Sequence, residues 1–160
     1  MSEWRNLDRA SLLVEVDAEA RLDACEKALR REGLTLGLEG GTANLAPEIG
    51  AIGPWLARGA PGARDPWSDP ADHLVAGLTA TLANGKVLTI RPSPRRAVGP
   101  DLIALVVGME GRYARIDRAW LRVHRLDAPE PRAHSFVAER NPPLSEGEKD
   151  LLAAIGRALD

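Results

Sequence analysis

Few side chains in this sequence are spaced for chemistry. His73, His124 and His134 have no partner four residues away and no neighbouring Cys or Asp cluster, so they build no metal site and read as surface or pocket-lining residues. Ser68, Asp69 and His73 lie close together, yet nothing orients a base toward the serine, and the grouping reads as loop composition. Cys25 falls on an apolar helical face and reads as core packing. What remains is backbone chemistry. Ile52-Gly53-Pro54, Pro61-Gly62 and Gly108-Met109-Glu110-Gly111 are the glycine-bearing strings of interest.

The elements that must position these strings follow from periodicity. Ser11 to Val16 alternates and carries β-branched residues, as a strand does. Asp17 is then placed to cap a helix on whose face Leu22, Cys25, Ala28 and Leu29 fall together, and Gly33 supplies its left-handed stop. From Gly33 to Pro70 the chain is rich in Gly, Pro and Ala and predicts a long loop, and loops of that length inside a compact domain are usually functional. Leu74–Ala83 and Lys86–Arg91 flank Asn84-Gly85 and predict a hairpin with a type I′ turn. Arg91 to Arg96 reads as a linker. Gly99-Pro100-Asp101 opens a short apolar helix closed by Gly108. Ile116–Arg125 and Ala133–Ala138 predict strands, and Ser145-Glu146-Gly147-Glu148 is a capping box that starts a last helix carrying Leu151, Leu152, Ile155 and Leu159.

Composition bounds the rest. A chain of 160 residues supports one domain with a real core. With 44% hydrophobic and 28% charged residues, the composition is that of a globular protein, not of a disordered or membrane-spanning one. No apolar run reaches bilayer length and the N-terminus lacks a secretory h-region, so a cytoplasmic location is expected, with no membrane association. One cysteine excludes an internal disulfide and a cysteine zinc site. The formal charge of -2 gives no global attraction to nucleic acid. Arginines 91, 95, 96, 112, 115, 118, 122 and 125 do concentrate positive charge late in the chain; those of the last strand read as a solvated sheet face, and a local anion site is the alternative.

Several strings in order carry a resemblance: Glu32-Gly-Leu-Thr-Leu-Gly37, Ile52-Gly-Pro-Trp55, Asp72-His-Leu-Val-Ala-Gly-Leu78, Ala83-Asn-Gly-Lys-Val87 and Gly99-Pro-Asp-Leu102 followed by Gly108-Met-Glu-Gly111. Together, from about Ser11 to Val123, they resemble the second subdomain of the FAD-binding (PCMH-type) domain shared by alkylglycerone-phosphate synthase, the FAD-linked D-lactate and glycolate oxidases and vanillyl-alcohol-oxidase-type relatives. The resemblance implies an α+β fold with a mostly antiparallel sheet and flanking helices. It implies a truncated FAD-binding subdomain over residues 1–131, and over 132–160 a strand and helix that are a remnant of the cap domain or an interaction segment. It places cofactor contacts, if FAD is bound, at Ile52, Gly53, Gly62, Gly108, Glu110, Gly111 and Ile116.

Against the family pattern, Pro54, Pro61, Asp69, Met109, Arg115 and Asp117 depart where the cofactor would lie, while Leu74, Leu78, Val87, Leu102, Leu105, Val106, Ile116, Leu121 and Val123 keep the core pattern. Trp55, Trp67 and Trp120 either fill a vacated groove or pack in the ordinary way. The expectation is a degenerate, non-catalytic protein without tightly bound FAD, acting through a protein partner, a homo-oligomer or as an accessory chain. Two alternatives stand beside it: an FAD-dependent oxidoreductase subunit completed by another chain, and a binder of another anionic ligand through Arg64, Arg112 and Arg115.

Overall fold

The computed structural model describes residues 3–38, 50–63, 74–92, 102–127 and 145–159. Its centre is a five-stranded antiparallel sheet in the order β1-β2-β6-β4-β5, formed by β1 (Asn6–Asp8), β2 (Leu13–Asp17), β4 (Val75–Leu82), β5 (Val87–Ile90) and β6 (Ala114–Arg122). Strand β6 is the middle strand, and its pairing explains its sequence. Ala119 and Leu121 face Val16 and Val14 across β2, and Ala119 and Ile116 face Leu78 and Ala80 across β4. All of these side chains are buried in one core, as a strand with one apolar face requires. Helices α1 (Leu22–Arg31) and α2 (Ile52–Ala57) contribute their apolar faces to the same core. The architecture is α+β, a mostly antiparallel sheet with flanking helices, as the resemblance implies.

The departures are local and have physical reasons. Helix α1 starts at Leu22, with Arg21 and not Asp17 at its N-cap, and no side chain caps it. The Leu22 N–H instead donates to the Gly50 carbonyl at 3.1 Å, so a remote backbone oxygen takes the role of a cap. The Gly33 stop stands: its φ is 74° and its N–H reaches the Arg30 carbonyl. The expected long loop after it contains β3 (Leu34–Thr35) and α2. The hairpin forms, with a different turn. Of its loop residues only Gly85 has a positive φ, 78°, its N–H donates to the Leu82 carbonyl, and the Leu82 N–H reaches the Lys86 carbonyl. A type I′ turn would need positive φ at both central residues, so this is a three-residue loop ending in a left-handed glycine.

The predicted strand Ile116–Arg125 begins earlier, at Ala114, and is interrupted at Val123, after which β7 (His124–Arg125) pairs with β3 in a second, two-stranded sheet. The apolar turn expected to open at Gly99 appears among the described residues as a short 3₁₀ helix, Leu102–Leu105. The capping box is present: the Ser145 N–H donates to Glu148 Oε2 at 2.8 Å and the Glu148 N–H to Ser145 Oγ at 3.3 Å, starting α3 (Glu146–Leu159). The Ala133–Ala138 strand and the boundary at 131/132 lie outside the described residues.

One buried charge organises this half of the fold. Glu26 on α1 is 3% exposed. Its carboxylate accepts from Arg30 Nε at 2.8 Å, from Thr35 Oγ1 at 2.6 Å and from the Leu36 N–H at 2.9 Å. A buried carboxylate is tolerated only when its oxygens are satisfied in this way, and the bonds from Thr35 and Leu36 tie α1 to β3 and the residue after it. Glu26→Ala leaves Thr35 and the Leu36 amide without their acceptor and is expected to lower stability by about 1–3 kcal/mol in urea unfolding. Next to it, burial pushes the Cys25 thiol up to about 12, with the Glu26 carboxylate adding to the shift. The folded chain keeps that proton where an unfolded thiol, at its ordinary value of 9.0, gives it up. The associated stability is therefore fully present below about pH 9 and is lost as the pH rises toward 12. Alkaline unfolding of the wild type against Cys25→Ala should show this dependence in the former and its loss in the latter.

Candidate functional site

The residues that the resemblance singles out gather around α2. At its start the backbone donors are already committed. The Ile52 N–H donates to the Ala20 carbonyl at 2.9 Å, the Gly53 N–H to the Ala18 carbonyl at 2.8 Å, and the Trp55 N–H to the Ala51 carbonyl at 3.1 Å. Pro54 has no N–H. The first turn of a helix ordinarily leaves its amides open to an anion; here this turn has none to offer. The glycine serves packing. A Cβ built on Gly53 would stand 2.9 Å from the Cβ of Ala18 and 3.2 Å from its carbonyl oxygen. Pro54 lies exposed in this first turn, where a missing N–H breaks no helical bond, while Ile52, Trp55 and Leu56 face the core.

The other end of α2 holds the second group. The Leu56 carbonyl accepts from the N–H groups of Gly59 and Gly108 at 2.9 and 3.0 Å, and the Ala57 carbonyl accepts from the Glu110 N–H at 2.8 Å. Gly59 and Gly108 both have φ of 80° and lie against each other. Glu110 follows with φ of 52°, a left-handed conformation costly for a residue with a Cβ, and Gly111 with φ of 78° has open space beside it. Gly62, φ 76°, sits in the turn after α2, where the Pro61 carbonyl accepts from the Trp55 indole N–H at 2.9 Å. Ile116 is buried in β6, against which α2 packs. Ile52, Gly53, Gly62, Gly108 and Glu110 are thus arranged about one short helix, with Gly111 just beyond and Ile116 in the sheet.

Two of the charged departures, Arg115 and Asp117, are paired with each other. Asp117 is the extra residue of a β-bulge, since Thr79 faces Arg118 while Ala80 already faces Ile116. Its carboxylate accepts from Thr81 Oγ1 at 2.7 Å and from Arg115 Nε at 3.1 Å. Arg118 donates to Glu15 at 3.1 Å, and Arg5 to Asp17 at 2.6 Å. Trp55 is fully buried in the core, while Trp120 is half-buried on the sheet opposite Glu15. Trp67, Arg64, Asp69 and His73 lie outside the described residues. Among the described residues no group of His, Cys, Asp or Glu is arranged for a metal ion, and no helix is long and apolar enough to cross a membrane. A cleft of about 410 Å³ lies elsewhere, lined by Arg9, Leu12, Glu32, Leu34, Arg125 and Asp127, with Arg9 and Glu32 ion-paired across it.

The sequence offered no sign of Ala18 and Ala20. Both act through their carbonyl groups, which every residue has, and only the small side chain opposite Gly53 carries a trace of the contact.

No protein-family model matches the chain. Among curated proteins it is similar to the uncharacterized FAD-linked oxidoreductase YgcU of Escherichia coli K12 and of strain O157:H7, 27% identical over 139 residues, which is 87% of this chain and 28% of either relative. Among solved structures it shares the fold of alkyldihydroxyacetonephosphate synthase, seen in two crystal forms, with a TM-score of 0.58. Identity there is 21–22%, over 80–82% of this chain and 21–23% of the synthase. The resemblance to FAD-binding proteins of the PCMH type therefore stands, and the chain spans less than a third of the length of these relatives. If Gly53 is kept small by Ala18, then Gly53→Ala should destabilise the chain by about 1–3 kcal/mol, and Ala18→Gly should recover much of that loss. Additive losses in this double-mutant cycle would show that the two residues do not share the space.

Proposed function

We propose that this chain is an FAD-binding-type subdomain whose cofactor contacts have passed to internal structural use, and that it acts through protein contacts, as a homo-oligomer or as an accessory chain, and not as a catalyst with tightly bound FAD. The observation that supports this most is the commitment of the Ile52 and Gly53 amides to Ala20 and Ala18, with Pro54 following. A hydrogen bond to a charged phosphate is worth about 1.5–3 kcal/mol. Losing two or three of them weakens binding by several orders of magnitude. The Arg115–Asp117 and Arg118–Glu15 pairs support the same reading, because they leave the sheet near neutral.

A second reading draws on the FAD-linked relative. In it the chain is one subunit of an FAD-dependent oxidoreductase, and FAD would meet Ile52, Gly53, Gly62, Gly108, Glu110, Gly111 and Ile116 once another polypeptide completed the site. The two readings part on one measurement. The absorbance spectrum of the purified chain, with flavin assayed after denaturation, should show no flavin bands and far less than one flavin per chain, and added FAD should not raise the melting temperature. A yellow protein with stoichiometric flavin would overturn the first reading. Pro54→Gly alone should leave the spectrum unchanged, since the amides on either side remain committed.

A further inference from the structure

Helix α3 meets the body differently from α1 and α2. Those two carry fully buried residues along one face. In α3, Leu151 is 60% exposed, and Leu152, Ile155 and Gly156 are only half-buried. Its described contacts centre on Tyr113, the residue that precedes β6 and lies two positions after Gly111. The Tyr113 hydroxyl donates to the Leu152 carbonyl at 3.0 Å, and a Cβ on Gly156 would begin 3.8 Å from the tyrosine ring. Tyr113 is 4% exposed. A phenol buried to that degree needs a partner for its hydroxyl, and the partner here belongs to α3.

The helix also carries its own local support. The Ser145–Glu148 capping box and the Lys149–Glu146 ion pair are internal to its first turns. No strand of either sheet pairs with α3, so its departure breaks no ladder.

We propose that α3 is a detachable strap latched by Tyr113, and that its release uncovers the tyrosine ring beside the Gly108–Gly111 loop while the sheet stays folded. Segments with few buried apolar contacts open locally at free energies well below global unfolding, and among the described residues α3 meets the body through a half-buried face and the Tyr113 hydrogen bond.

Tyr113 is the chain's one tyrosine, so its accessibility reports the strap directly. In the full chain, amide exchange read by mass spectrometry should be faster across α3 than across β6. Tyr113→Phe should accelerate it in α3 by roughly fivefold to tenfold, the effect of one ordinary hydrogen bond, with β2, β4 and β6 unchanged. Gly156→Glu, which sets a charged side chain against the ring, should raise the nitration rate of Tyr113 several-fold. Exchange of α3 in step with β6 in the wild type would overturn the proposal, as would unchanged exchange in Tyr113→Phe or unchanged nitration in Gly156→Glu.

Discussion

One residue, Ala18, is held through its backbone from both sides. Its N–H donates to the carbonyl of Asp117 at 3.0 Å, and its own carbonyl accepts the Gly53 N–H at 2.8 Å. The first bond continues the β2–β6 register one step past Asp17 and Arg118, and the second exists because Gly53 has no side chain to hold the backbones apart. Each is worth about 1 kcal/mol net, a small sum beside the apolar core. Their effect is positional. They carry the register of the middle strand into the turn after β2 and from there into the start of α2, which sets Trp55 and Leu56 into the core. An anion at this turn would need the Ile52 and Gly53 amides, and these already hold the helix to Ala20 and Ala18.

The same commitment recurs at the far end of α2, where Leu56 and Ala57 receive the amides of Gly108 and Glu110. The two groups of residues that a cofactor-binding reading treats as two sides of a ligand site are here two ends of one helix, each bonded to it or to its neighbours. The charges behave alike. Arg118 with Glu15 pairs β6 with β2, Arg5 just before β1 pairs with Asp17 of β2, and Arg115 pairs with Asp117 within β6. Exposed pairs of this kind add little to stability, but they leave no strong field of either sign on that part of the sheet.

Legibility in the sequence followed the kind of information each feature uses. The strands β2, β4 and β6 and the apolar face of α1 show in the alternation and spacing of Val14, Val16, Leu78, Leu121, Leu22, Cys25 and Leu29, because burial acts on side chains. Helix α2 was hidden because Gly53 and Pro54 are read as breakers, yet both are compatible with a first turn whose amides bond outward. The position of the β4–β5 turn was visible in Asn84-Gly85, whereas its type depends on strand register and was not. Glu26 was invisible as a core residue, since its place rests on Thr35 and Leu36 arriving from beyond the helix. The strings around Gly53 and Gly108 pointed to the right fold and to one neighbourhood of it; whether their amides were open could be read only from three dimensions.

Gly53 and Gly111 bear on how such sequences are compared. At Gly111 the space beyond the backbone is open, while at Gly53 it is filled by the methyl of Ala18. A comparison of letters scores the two glycines alike. Their information content differs: the first is a glycine through its backbone angle, the second through its neighbour. A glycine of this kind can therefore persist, letter for letter, by serving the scaffold, and the letter at Gly53 alone says nothing of a bound ligand.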